Sequence, residues 1–256
     1  MPDQPEPARL SARCAGCGRE TARGAAFCAV CGRATPAGLR AVAERSRDES
    51  RRASRSVLAI ATTFGGVFAV LIASALLAEG PALHFLAREA GLLLVGALGV
   101  LAQGGDGWRA SLAGATRART AVLGLVVGLA AFALNLGYAL LLAQALGGGE
   151  PLPLPERSLF LEFASVVVLA AFGEEWLCRG VLWQALARVA PSAATVVLSA
   201  LLFGLLHALN GAFWLEVPHR FAFGLLLGWL RAHSGSLGPC VIAHGTNNLL
   251  AVLSQG

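Results

Sequence analysis

Ala171-Phe172-Gly173-Glu174-Glu175-Trp176-Leu177-Cys178-Arg179 decides the fold: it sets two adjacent carboxylates and a guanidinium at the end of a nearly all-apolar run, residues 159–172. On insertion scales an ionisable side chain at mid-membrane costs roughly 2.5–3.5 kcal/mol, so such groups persist where they face a cavity, pair with one another, or do chemistry. Glu175 and Arg179 have the i, i+4 spacing of a helical ion pair. That leaves Glu174, about 100° round the same helix, to face another partner as a general base.

Working outward, two further polar insertions interrupt later apolar runs: Phe203-Gly-Leu-Leu-His207 and His244-Gly-Thr-Asn-Asn248. His244 and Asn248 project from one helical face, and an asparagine amide is a natural donor to a developing oxyanion. Taken singly, each piece has a plainer reading. The glutamates fit an exposed charge cluster, each histidine a hydrogen-bonded packing residue, and Asn248, Asn247, Asn135 and Gln144 interhelical hydrogen bonds. Three separate late runs each carrying one polar device is what points to an active site.

The composition agrees with spans in a membrane. Of 256 residues 56% are hydrophobic and only 14% charged, far from a soluble domain. Apolar runs of about 20 residues lie at 57–78, 82–103, 120–146, 158–178, 193–209, 212–230 and 237–253. His84, Arg88 and Glu89 interrupt the second, which therefore enters through the interface or lies partly against protein. The sequence predicts an all-α polytopic membrane protein, a bundle of about seven transmembrane helices. An eighth, re-entrant or interfacial, helix fits 182–191 or 79–89. All twenty basic residues are arginine, eleven of them before Ser56. Alternating spans put Arg55, Arg109, Arg117, Arg119, Arg179, Arg188 and Arg231 on one side, which predicts a cytoplasmic N-terminus in a plasma membrane, bacterial by this reading, with the basic stretch against anionic lipid.

Ahead of the first run, Cys14-Ala-Gly-Cys17-Gly and Cys28-Ala-Val-Cys31-Gly form two matched knuckles. Four thiolates select tetrahedral zinc, and so short a segment has too little core to fold without a metal. The expectation is one structural zinc on Cys14, Cys17, Cys28 and Cys31. Nucleic acid is disfavoured, because Phe27 is the head's lone aromatic. Cys178 and Cys240 read as small buried hydrophobes. The domains are thus a zinc ribbon at 10–35, a basic linker or surface helix at 36–56, and a membrane domain at 57–254 with its motif-bearing core at 158–253.

The head resembles the zinc-ribbon heads of bacterial membrane proteins. Glu174-Glu175-xxx-Arg179, Phe203-xxx-His207 and His244-xxx-Asn248, in that order, resemble the three motifs of the CPBP family, intramembrane proteases related to the CAAX prenyl endopeptidase and to bacteriocin-processing and immunity proteins. The resemblance covers roughly 158–253 and implies a glutamate-dependent endopeptidase for a membrane-associated, lipidated or unlipidated, peptide or protein. It implies that Glu174, helped by His207, activates water, that His244 and Asn248 hold the oxyanion, and that Glu175, Arg179 and Phe203 support them. It also implies a cavity open to the cytoplasm. Two histidines with an asparagine make a poor zinc set, so metal-independent catalysis is favoured there. The alternatives are a non-proteolytic immunity or scaffold protein whose zinc head docks a partner protein, and a small transporter, which the want of an internal repeat argues against.

Overall fold

The computed structural model describes residues 10–22, 24–77, 81–104, 112, 114, 116–147, 160, 163–207 and 213–254. The chain divides into two units, Met1–Ser54 and Arg55–Gly256.

In the first unit, β1 (Leu10–Arg13) pairs antiparallel with β2 (Glu20–Ala22), and Phe27 bridges Ala34. The glycines after the knuckles, Gly18 and Gly32, both take φ +70°, the left-handed turn that a side chain would strain. Thr35 then caps α1 (Pro36–Leu77): its hydroxyl accepts the Gly38 N–H at 3.1 Å, with proline at the first helical position. Residues 36–56 thus form the opening turns of α1. Their Arg, Glu and Ala content favours helix, and no breaker separates them from the apolar run.

The second unit adds six helices among the described residues: α2 (Pro81–Gln103), α3 (Ala118–Ala145), α4 (163–186), α5 (Ser192–Leu206), α6 (Phe213–Ser234) and α7 (Gly238–Leu253). With the span part of α1 they match the seven apolar runs, an all-α architecture consistent with a membrane protein. Two helices, Pro36–Ala73 within α1 and Ala118–Ala145, are long and apolar enough to cross a membrane. One helix departs from expectation: α4 does not stop at Cys178 but continues through Trp183–Leu186. Arg179 therefore sits inside a helix, fully buried, and is no flanking charge. The 182–191 region holds the end of α4 and a turn rather than a separate helix.

Contacts fix the helix directions. Val70 meets Gly91 and Val95 meets Gly66, so α1 and α2 are antiparallel. Gly96 lies against Trp176 and Gly99 against Val181, so α2 and α4 are parallel. A methyl group on Gly124 would fall 2.5 Å from the Pro239 carbonyl oxygen, and one on Gly128 2.6 Å from that of Ala243, so α3 runs parallel to α7 at a separation only glycine allows. In lipid, where apolar surface gives little drive between helices, such small-residue seams are the main route to tight packing. Gly224 against Ala200 and Gly228 against Val196 pair α5 and α6 antiparallel. One apolar cluster draws on every helix, including Val67, Val95, Val127, Leu182, Phe203, Leu227 and Ala243. The directions alternate, so Arg55, Arg117, Arg119 and Arg188 share one end of the bundle. Arg231 is also at that end but buried; Arg109 lies outside the described residues.

Candidate active site

α4 carries the deciding stretch on an unusual backbone. Phe163–Ala170 and Trp176–Leu182 are wound as π-helix, and only Ala171–Glu175 between them is α-helical. Wide turns of this kind concentrate at functional sites. Side chains from other helices bond their carbonyls: Asn248 Nδ2 donates to Val166 O at 3.0 Å, Arg231 Nε to Arg179 O at 3.0 Å, and Gln103 Nε2 to Val181 O at 3.0 Å.

The glutamates are no exposed cluster: Glu174 is 3% exposed and Glu175 0%. Glu175 Oε1 accepts from Arg179 NH1 at 3.1 Å, the expected i, i+4 pair, and lies 3.1 Å from His244 Nδ1. Arg179 NH2 also donates to Gly224 O at 2.7 Å, and its guanidinium stacks 4.6 Å above the Phe203 ring. Glu174 faces the other way. Its Oε2, buried and without a hydrogen-bond partner among the described residues, is 3.7 Å from His207 Nε2. His207 Nδ1 lies 2.9 Å from Phe203 O; as carbonyls only accept, Nδ1 carries a proton, and in the neutral ring Nε2 presents its lone pair toward Glu174. Phe203 packs between the imidazoles, 5.2 Å from His207 and 5.4 Å from His244 by ring centroids.

Asn248 ends a chain of amides. Asn135 Nδ2 donates to Asn247 Oδ1 at 2.8 Å, Asn247 Nδ2 to Asn248 Oδ1 at 3.0 Å, and Asn248 donates to Val166 O. Turning any one amide over would oppose like groups, so the chain fixes which atom Asn248 presents. Asn135, Asn247 and Asn248 also line a cavity of about 320 Å³ between α3, α4, α6 and α7, with His219 and Arg220. This cavity lies toward the end of the bundle remote from Arg117 and Arg188. It is therefore not a mouth on the arginine-flanked side, where the family resemblance places the opening.

Two charged residues that the sequence marked only as interruptions join this group. Arg88 and Glu89 of α2 are 8% and 1% exposed. Arg88 reaches Glu89 Oε1 through both Nε (3.0 Å) and NH2 (2.7 Å), and its NH2 is 3.7 Å from Glu174 Oε1. The sequence carried the signal: two adjacent charges inside an apolar run must meet partners across the bundle.

In the head, the Sγ atoms of Cys14, Cys17, Cys28 and Cys31 all lie within 4.8 Å of one another, with Cys14–Cys31 at 3.6 Å and Cys17–Cys28 at 3.7 Å. Metal–sulfur bonds of about 2.3 Å give a tetrahedron edge of about 3.8 Å, so the set fits a metal ion. N–H groups of Gly16 and Cys17 hold the Cys14 thiol down at about 6, and those of Cys31 and Val30 lower Cys28. Cys31 receives the Arg33 N–H, yet the neighbouring Cys14 and Cys17 sulfurs push it up to about 11. Among the described residues no other group of three or more His, Cys, Asp or Glu converges this closely; Glu174, His207 and His244 do not.

No curated protein and no solved structure matches the chain. A family model does, and it spans every motif residue from Glu174 to Asn248: over residues 156–250 the chain is similar to the type II CAAX prenyl endopeptidase Rce1-like family.

Proposed function

We propose that the protein is an intramembrane endopeptidase of the CAAX type, in which Glu174 and His207 activate water against a peptide carbonyl. The observation that carries this is the approach of Glu174 Oε2 on α4 and His207 Nε2 at the C-cap of α5, 3.7 Å apart. A water between them donates one hydrogen to each and turns its lone pairs outward. Glu174 takes the proton as the water oxygen bonds to the carbonyl carbon, and returns it to the amine as the C–N bond breaks. His244, whose Nδ1 rests on Glu175, and the remaining N–H of Asn248 hold the carbonyl oxygen as it becomes negative. Glu175 and Arg179 keep His244 oriented, and Phe203 separates the two imidazoles. The chemistry runs through these side chains and needs no metal in the membrane.

In the same reading the head holds one zinc through Cys14, Cys17, Cys28 and Cys31 and serves as a docking module for a partner protein. The arginine-flanked end of the bundle, with the head, faces the cytoplasm of a bacterial cell.

Glu174→Gln tests the reading directly, because it keeps shape and removes the base. With an internally quenched peptide ending in prenyl-cysteine, two aliphatic residues and a terminal residue, the variant should assemble normally and cleave at least ~10²-fold more slowly. Wild-type rates from Glu174→Gln would refute the assignment. The same peptide without its prenyl group tells whether the lipid is required.

A further inference from the structure

Resting on that reading, we infer that Arg88 and Glu89 of α2, outside the family-matched segment, are positioning residues that set the charge of the catalytic glutamate. Three carboxylates and two guanidiniums are buried together. Glu175 has Arg179 at 3.1 Å, and Arg179 is further held by Gly224 O at 2.7 Å. Among the described carboxylates, Glu89 and Glu174 both draw on Arg88. They share it unequally: two contacts, 2.7 and 3.0 Å, go to Glu89, and a single one of 3.7 Å to Glu174.

The inequality is what the chemistry requires. A base must be ionised, and Glu174 has two other carboxylates nearby in an apolar surround; without a cation beside it, the charge would be untenable. A guanidinium clamped onto Glu174 itself would occupy the lone pairs that water must reach. Glu89 takes the fork of Arg88 and so leaves its field, rather than its hydrogen bonds, at Glu174. Among the described residues, Glu216 and Arg220 of α6, near enough to act on Arg88 and His207, pair with each other at 3.6 Å. Glu175 and Arg179 pair within α4, His244 on α7 faces Glu175, and His207 at the C-cap of α5 presents its Nε2.

The experiment uses the full chain in detergent and the quenched prenyl peptide. Arg88→Gln should lower kcat by ~10²-fold with KM little moved, and Arg88→Lys should recover most of the loss because it restores the charge. Arg88→Gln with Glu89→Gln removes both charges of the pair in matching shapes. It should fold as well as wild type yet stay as slow as Arg88→Gln. A double variant with wild-type kcat would show that the pair is structural and overturn the inference. If Glu174→Gln cleaves at the wild-type rate, the base reading itself has failed; if it is inactive while the double variant is fully active, only the present inference has. Thermal melting gives a readout independent of cleavage. Glu174→Gln should raise the melting temperature of Arg88→Gln more than it raises that of wild type, and equal shifts would sink the coupling.

Discussion

Arg179→Met is the perturbation whose cost the structure defines best. Arg179 and Glu175 are both fully buried with their charges 3.1 Å apart, and at an effective dielectric of ~20 their attraction is about 5 kcal/mol. Methionine fills much of the volume but leaves Glu175 charged beside a neutral thioether, and it gives up the bond to Gly224 O. Breaking a buried pair from one side costs about 3–5 kcal/mol, whereas replacing both partners is often close to neutral. The expectation is therefore a loss of about 3–5 kcal/mol for Arg179→Met and a return to within about 1–2 kcal/mol of wild type on adding Glu175→Gln. The assay is equilibrium unfolding in mixed micelles of dodecyl sulfate and a mild detergent, followed by the fluorescence of Trp176 and Trp183 on α4 itself. Activity should not return with stability, since His244 Nδ1 loses the carboxylate it rests on. A double variant as unstable as Arg179→Met would refute the charge argument and make packing around Phe203 the cause.

Three further outcomes are expected. Gly128→Ala, whose new methyl would lie 2.6 Å from Ala243 O and 2.7 Å from Thr246 Cβ, should destabilise the α3–α7 seam by about 1–3 kcal/mol, while Gly137→Ala, with open space around it, should cost nothing in the same unfolding assay. Elemental analysis of the purified chain should find one zinc, lost when Cys14 and Cys31 are both replaced by serine; retention of zinc by that variant would move the metal away from the head. Asn135→Leu cuts the amide chain one hydrogen bond above Asn248 and should lower kcat by roughly fivefold, the equivalent of about 1 kcal/mol, with KM unchanged in the quenched-peptide assay.

Much of this architecture was legible because lipid makes sequence rules strict. Seven apolar runs became seven helices, and the spacings of Glu175 with Arg179 and of Phe203 with His207 became real contacts. What was illegible depends on neighbours. α3 is apolar nearly all round, so its seam with α7 shows only as Gly124 and Gly128, which many spans carry for no such purpose. The continuation of α4 past Cys178 was hidden because Arg179 looks like a flanking charge until Glu175, Gly224 and Phe203 are known to enclose it. Arg88 and Glu89 could be seen as anomalies, but that they lie beside Glu174 depends on α2 running parallel to α4, which no spacing within α2 encodes.

The polar side chains of this bundle look alike in sequence, and the backbone of α4 separates them by purpose. Gln103 and Arg231 bond the Val181 and Arg179 carbonyls of its second π-wound segment, satisfying backbone groups that hydrocarbon would not. Asn248 bonds the first such segment at Val166 through one N–H, but its amide has a second, and Asn247 and Asn135 fix where that one points. The two π-wound segments flank Ala171–Glu175, so the side chains that stabilise the irregular turns also hold the carboxylates between them. Asn248 and Arg231 thus share one task, holding backbone that the wide turns expose. The arrangement accounts for asparagine rather than glutamine at position 248, because a longer arm reaching Val166 O would no longer take its carbonyl to Asn247.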